Sequence, residues 1–413
     1  MRALGRASEL QRAQWLPAEE LRARQWRRAR ALVAHAYAHS PYYRRQFEAA
    51  GVSPQDLRDW NDFARLPSTP REALREDGAL LATNHRDAPL RRSHTSGSTG
   101  RPTTSYFDAD AWSIAKNLLK LRARWACGMR PWHRVAFLQE TDPNPSWARR
   151  LLRQRTFSVH DPIERVASAV ERFAPDVLYG FPGHLARLGA AAAGGIRPTR
   201  IFTSGELLDP ITRRSIESSF GAPVFDVYGC TETKEIAWQC SNRDGYHVNA
   251  DWLVLECAGE AGSSDAPAPG SLLATPLFNF AMPLLRYEIG DVGSLSDEPC
   301  PCGRSLPLMA PLEGRTVDYL RLPSGEVVSP YTVTCAIEAV PGLRQYQIVQ
   351  ESRDRVMASI VGDSAFDRAA EQRATRELEV RLPGIRVEIR RVERIAHEPS
   401  GKLRVVRCEL RDG

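Results

Sequence analysis

The sequence predicts an α/β protein. A large N-terminal domain with mixed and parallel sheets flanked by helices, plus a small antiparallel barrel-like sheet, precedes a small α+β C-terminal domain. Three observations predict this. Strand-like runs beginning at residues 176, 200 and 224 alternate with helical patterns, as right-handed βαβ crossovers and a parallel sheet require. After residue 240 the texture changes to short alternating runs, the mark of antiparallel strands. From about Tyr319 the order is strand, strand, helix, strand, a unit able to fold separately.

Along the chain, Pro17 opens a helical pattern carrying Leu21, Ala29, Leu32, Val33, Ala36 and Tyr37, which stops before Pro41. Residues 41–93 are turn-rich, and 93–106 form a polar glycine loop. Asp108 can cap a helix running through Leu118, Leu119 and Arg122. Strands are expected at 134–138, 176–179, 200–203 and 224–228, with helices at 184–193 and 211–220, the latter introduced by Asp209-Pro210. Antiparallel strands are expected at 252–257, 271–278 and 285–289, with the Gly/Ala/Ser/Pro stretch 258–270 as a hairpin tip. The C-terminal unit reads as strands 345–350 and 355–361, helix 366–382 and strand 385–390.

At 413 residues the chain can bury more than one core, and 42% hydrophobic with 26% charged residues is ordinary for a globular protein. No apolar run approaches the ~18 residues of a membrane span. No apolar segment follows the first charges, so no secretory signal is expected and the compartment reads as cytoplasmic. Only Lys116, Lys120, Lys234 and Lys402 are lysines among 56 basic residues, which makes each of them more informative than usual. The first 45 residues hold ten arginines against three acids; a solvated helix face explains this, and no nucleic-acid motif accompanies the charge.

Ligands of open parallel sheets bind beyond the carboxyl ends of the strands. Three strands end in unusual turns: Tyr179-Gly180-Phe181-Pro182-Gly183, Thr203-Ser204-Gly205-Glu206 and Tyr228-Gly229-Cys230-Thr231-Glu232. Any one would be an ordinary βα turn; three in register favour a shared site. The run Thr95-Ser96-Gly97-Ser98-Thr99-Gly100-Arg101-Pro102-Thr103 reads as a phosphate cradle or as a plain flexible linker. It lacks the spacing of a Walker loop. Cys240, His247, Cys300 and Cys302 supply the Cys₃His set of a closed structural zinc site, although Cys-x-Cys is tighter than the usual spacing; two buried thiols and an exposed pair are the alternative. The remaining cysteines, including Cys230, read as small buried hydrophobes, not nucleophiles.

Taken in order, Thr95–Thr103, Tyr228–Glu232, Arg286-Tyr-Glu-Ile-Gly-Asp291, Gly314-Arg315 and Pro399-Ser-Gly-Lys402 resemble the adenylate-forming enzymes across nearly the whole chain. Within them the likeness is to the phenylacetate–coenzyme A ligase family, through Ser40-Pro-Tyr-Tyr43, Gly51–Leu57, Leu66-Pro-Ser-Thr69 and Cys300-Pro-Cys-Gly-Arg304. The resemblance implies ATP-dependent conversion of a carboxylic acid, aromatic or arylacetic, to an acyl-adenylate, then transfer to the thiol of coenzyme A. It implies that Ser96, Gly97, Ser98, Thr99 and Gly100 hold the ATP phosphates, Gly205 and Glu206 line the adenine, and Tyr228 and Gly229 stand against its ring. Thr231 would contact the α-phosphate, Glu232 would hold Mg²⁺, and Asp291 would take the ribose hydroxyls with Arg315 nearby. The acid would lie near Tyr179, Gly180, Phe181 and Pro182.

The resemblance also divides the chain into 1–317 and 318–413. The smaller domain is mobile about a hinge at Asp318 and brings Lys402 to the reacting carboxylate. By itself Lys402 could be a solvated turn lysine, and Arg315 and Asp318 a plain surface pair. Some members of the family carry zinc where Cys240, His247, Cys300 and Cys302 would meet. One departure stands out: the phosphate loop has Arg101 where the family commonly has lysine. Two other functions share most of these features: delivery of the acyl group to an amine, hydroxyl or carrier-protein thiol, and a silent scaffold of the same fold. Family members are often dimers, and the N-terminal arm could pack on a second copy or on its own domain.

Overall fold

Proline sets the limits of the longest helix, Ala18–His39. Pro41 keeps Ser40 out of the helical region, and Ser40 is extended at φ −109° and ψ 113°. Pro41 itself starts the next helix, Pro41–Ala49, where a missing N–H costs nothing. In this computed structural model the residues described are 2–94, 103–139, 153–259, 269–296, 298–312, 314–315, 318–337, 340–397 and 403–410.

The chain divides into two units. The first comprises Met1–Gly128 and Val227–Pro311. Its N-terminal helices include Arg2–Ala13, which the sequence pattern did not suggest. Helix Ala18–His39 buries Leu21, Ala29, Leu32, Val33 and Ala36, and Pro41–Ala49 adds Tyr43 and Phe47. Asp108 caps the helix Ala109–Ser113 by accepting from the Ala111 N–H. One π turn, Ile114–Leu118, leads into Leu119–Ala126. The middle of that helix carries Arg122, which is fully buried. Its guanidinium forks onto Asp251 (2.7 and 2.5 Å) and also donates to Asn249 Oδ1 and Leu10 O. A buried charge is tolerable only when paired and hydrogen-bonded in this way.

The three expected antiparallel strands form as Leu253–Ala258, Gly270–Pro276 and Tyr287–Gly293. The third starts two residues later than its apolar pattern because Arg286 adopts φ +47°, outside the extended region. The hairpin tip expected at 258–270 lies mostly outside the described residues. A second antiparallel run links Lys234–Trp238, Tyr246–Val248, Leu308–Met309 and Leu295–Ser296.

The second unit comprises Met129–Asp226 and Leu312–Gly413. Its parallel strands lie in the order Gln154–Ser158, Val135–Gln139, Val177–Gly180, Arg200–Ser204. Helices Ile163–Phe173, Pro182–Ala191 and Pro210–Phe220 are the crossovers. Asp209 caps the last, accepting from the Ile211 and Thr212 amides. The core between sheet and helices includes Leu138, Val170, Leu178, Leu185, Leu188, Ile201 and Ile216. Strand Gln154–Ser158 and helix Ile163–Phe173 were not expected.

Within the same unit, residues from Leu320 onward build their own sheet, ordered Arg386–Arg391, Arg355–Gly362, Leu343–Ser352, Val406–Cys408. The central pair is antiparallel and each outer strand runs parallel to its neighbour. Alternate residues Tyr346, Ile348, Val356, Ala358 and Ile360 face the core, which helices Arg368–Arg381 and Pro330–Ile337 close. Ile211 of the capped helix Pro210–Phe220 joins that core.

Candidate active site

The first unit holds the turn that ends strand Val224–Cys230. The chain reverses over Thr231–Thr233 and returns as Lys234–Trp238, pairing Gly229 with Glu235 and Cys230 with Lys234. A Cβ at Gly229 would lie 2.2 Å from the Lys234 carbonyl oxygen, so no larger residue fits. Two buried carboxylates flank this turn, and a tyrosine holds each. Tyr228 donates its hydroxyl to Asp291 Oδ2 at 2.8 Å, and Tyr287 donates to Glu232 Oε1 at 3.1 Å. Arg71 stands 3.8 Å from the same Glu232 oxygen.

Burial first, then Glu232, pushes the Tyr287 hydroxyl above its ordinary range, so it stays a donor. Burial also pushes the Cys230 thiol up to about 12, which leaves no thiolate and agrees with its reading as a non-nucleophile. Cys230 is partly exposed rather than fully buried. Lys234 is driven down to about 7 by burial and then by Lys116.

The second unit brings other expected residues together. Tyr179 and Gly180 end strand Val177–Gly180; Phe181 and Pro182 open the following helix, with Pro182 at its first position. A Cβ at Gly180 would touch Leu138 at 3.0 Å. Gly205 turns the chain at φ +86°, and the next residue, Glu206, accepts from the Gly183 N–H at 2.9 Å and the Leu403 N–H at 2.7 Å. The neighbour of Leu403, Arg404, makes an ion pair with the buried carboxylate of Asp318. Asp318 is thus engaged by Arg404, not left as a surface group. Arg315 lies in the two-residue strand Gly314–Arg315. Ser96, Gly97, Ser98, Thr99, Gly100, Arg101 and Lys402 lie outside the described residues.

Cys240, His247, Cys300 and Cys302 do converge, with their ligand atoms all within 4.8 Å of one another. The Cys240 and Cys300 sulfurs are 3.7 Å apart, and Cys302 Sγ is 3.2 Å from His247 Nε2. A disulfide would need about 2.05 Å. A tetrahedron with zinc–sulfur bonds of about 2.3 Å has sulfur–sulfur edges of about 3.8 Å, close to the Cys240–Cys300 separation. His247 Nδ1 faces the Leu306 carbonyl at 3.4 Å, an arrangement that orients a metal-binding imidazole. The set could hold a metal.

Residues from 320 to 409 match the CapK C-terminal domain family. A phenylacetate–coenzyme A ligase of Thermus thermophilus is 30% identical over 81% of this chain and 79% of its own length. The chain belongs to the phenylacetate–coenzyme A ligase family. A second ligase of that name, from Aromatoleum evansii, is 26% identical over 83% of this chain and 81% of its own. Among solved structures, a 2-hydroxyisobutyryl-CoA ligase in the postadenylation state, in complex with R3-HIB-AMP, has a TM-score of 0.79 at 23% identity. That likeness covers 95% of this chain and 90% of the other, and shows a shared fold.

For a member of this ligase family, the sequence pointed to Tyr228, Glu232 and Glu206 through the turns at the strand ends, and to Asp291 through the family resemblance. It did not point to their holders, Tyr287, Arg71 and the backbone of residues 183 and 403. Tyr287 lies inside the Arg286–Asp291 motif, and that position was the available signal.

Proposed function

We propose that this chain activates a carboxylic acid with ATP, forming an acyl-adenylate and pyrophosphate, and passes the acyl group to coenzyme A. The observation that carries this reading is the pair of buried carboxylates, Glu232 and Asp291, each positioned by a tyrosine hydroxyl in a chain related to named phenylacetate–coenzyme A ligases. A carboxylate removed from water needs a cation or donors. Glu232 fits Mg²⁺, which offsets phosphate charge when bound. Asp291 fits the hydroxyls of a ribose.

In this reading Thr231 hydrogen-bonds the α-phosphate, and Ser96, Gly97, Ser98, Thr99 and Gly100 cradle the other phosphates. Glu206, Gly205, Tyr228 and Gly229 belong to the adenine, with Arg315 near the ribose. Tyr179, Gly180, Phe181 and Pro182 border the acid. Lys402 offers an ammonium that offsets charge as the acid's oxygen attacks the α-phosphorus. Residues 318–413 act as the smaller domain with Asp318 as hinge; the family match over 320–409 and the four-stranded sheet built wholly from residues after Leu320 support that division. Cys240, His247, Cys300 and Cys302 would hold Zn²⁺ with no open position, a folding role rather than a catalytic one.

The deciding experiment is acid-dependent exchange of labelled pyrophosphate into ATP, followed by adenylate consumption with and without coenzyme A. Exchange with at least one acid, and consumption by coenzyme A, is expected. No exchange across a broad acid panel would leave a silent scaffold as the better account. Exchange without transfer to coenzyme A would point to an amine, hydroxyl or carrier-protein acceptor.

A further inference from the structure

Lys234 holds a long charged side chain in an unusual backbone position. It is only 9% exposed and adopts φ +65°, a conformation that glycine takes freely and long side chains rarely do. Sterics and hydration both disfavour an ammonium there, so what the side chain reaches is informative.

It reaches a separate element. Strands Arg91–His94 and Thr104–Phe107 pair antiparallel with Ser93 opposite Ser105, and neither pairs with another strand among the described residues. A hairpin of two strands is marginally stable by itself in water, so side-chain anchors decide where it sits. Side chains alternate along a strand and opposite residues match, so Ser93, Ser105 and Phe107 share one face. Lys234 grips that face on both strands. Its ammonium donates to Ser93 Oγ at 2.6 Å and lies 4.7 Å from the centre of the Phe107 ring. Among the described residues Ser93 is its one hydrogen-bond acceptor. Another pair of anchors holds Tyr106, further from the loop: its hydroxyl donates to Asp77 at 2.9 Å and its carbonyl accepts from Asn279 Nδ2 at 2.8 Å. Ser93 stands two residues before Thr95, where the polar glycine run begins. At its other end, Lys234 directly follows the turn over Thr231–Thr233. One side chain thus spans two segments that are far apart in sequence.

We propose that Lys234 is a positioning residue. It ties the hairpin whose strands flank the Thr95–Thr103 run to the turn that carries Thr231 and Glu232, and so fixes the two segments relative to each other. It acts through those segments rather than on the reacting atoms. The inference rests on the adenylation reading, which assigns both segments to the nucleotide.

The test pairs kinetics with amide hydrogen exchange. Lys234→Met keeps the stem and removes the charged donor; Ser93→Ala removes the acceptor from the other side. Each should lower kcat/KM for ATP in pyrophosphate exchange at least about tenfold, as losing one charge-assisted hydrogen bond allows, with the KM for the acid unchanged. The double variant should be no worse than Lys234→Met alone, because both substitutions break the same contact. Lys234→Arg should recover part of the loss. Amides of residues 91–107 should exchange at least about tenfold faster in both single variants, while those of helix Ala18–His39 keep their wild-type rates. Ser93 is only half-buried, so its variant keeps the test alive if Lys234→Met fails to fold. Additive losses, a rise confined to the KM for the acid, or unchanged amide exchange in 91–107 overturns the tie while leaving adenylation standing. So does faster exchange in helix Ala18–His39 as well, which would mark a general loosening of the fold. If no acid supports pyrophosphate exchange, the adenylation reading fails and amide exchange decides the tie. Faster exchange confined to the hairpin in both variants supports it; unchanged rates overturn it.

Discussion

Tyr228 and Asp291 are 63 positions apart in sequence, and the phenol hydroxyl donates to the carboxylate at 2.8 Å with both side chains buried. Tyr228→Phe keeps the ring and removes the donor. The carboxylate would lose a partner inside the protein, which costs about 1–3 kcal/mol. Urea unfolding should show that loss. If Asp291 receives the ribose, KM for ATP should rise with little change in the KM for the acid. Unaltered stability and unaltered KM for ATP would remove Tyr228 from the nucleotide site.

Glu206 ties the backbone of Leu403 to that of Gly183, and Leu403 directly follows Lys402. Lys402→Ala should lower pyrophosphate exchange roughly 10²–10³-fold, the usual size of losing one charge-stabilising donor. Thiol transfer from supplied acyl-adenylate should stay within about threefold of wild type, since the lysine serves the other half-reaction. Equal loss in both steps would show that Lys402 supports the fold or both reactions alike.

Sequence made the repeating parts legible. The strands starting near 176, 200 and 224 and their crossover helices obey periodicities that side chains reveal directly. Strand Gln154–Ser158 escaped because only Phe157 of its five residues is fully buried, so no apolar run marks it. Helix Pro330–Ile337 escaped because it is short and rich in β-branched residues. At the site, Glu232 and Asp291 were legible as motif letters, but Arg71 reaches Glu232 from a turn far away in sequence. Such pairings are tertiary and leave no periodic trace. The lysines are intermediate: their scarcity was visible, the approach of Lys116 and Lys234 to the Trp112 ring was not.

The Cys₃His set predicts about one zinc per chain by elemental analysis. Cys300→Ser and Cys302→Ser should each lose most of the metal, and a strong chelator should lower the melting temperature of the wild-type chain, because metal binding and folding are coupled. Pyrophosphate exchange measured before unfolding should persist, as the four ligands leave no position open for substrate. A metal-free preparation with unchanged melting temperature would reject the site.

His184 gives the fold an acid limit. It is 1% exposed, and neither ring nitrogen has a hydrogen-bond partner among the described residues. Burial, then Arg187, His397 and His160, pushes its pKa down to about 4 from an ordinary 6.5. The folded state therefore holds the proton more weakly than the unfolded chain. Between pH 6.5 and 4 the unfolded state binds it first, so stability falls as pH falls, and this contribution levels off below about 4. The loss is on the order of 3 kcal/mol across that window. Urea midpoints measured from pH 7 to 4 should decline more steeply for wild type than for His184→Leu, which has nothing to protonate. Parallel slopes would mean that the imidazole titrates normally and that the acid sensitivity arises elsewhere. A steeper decline in the variant would mean that His184 is charged in the fold and held by an acid, the opposite of what its burial near Arg187 implies.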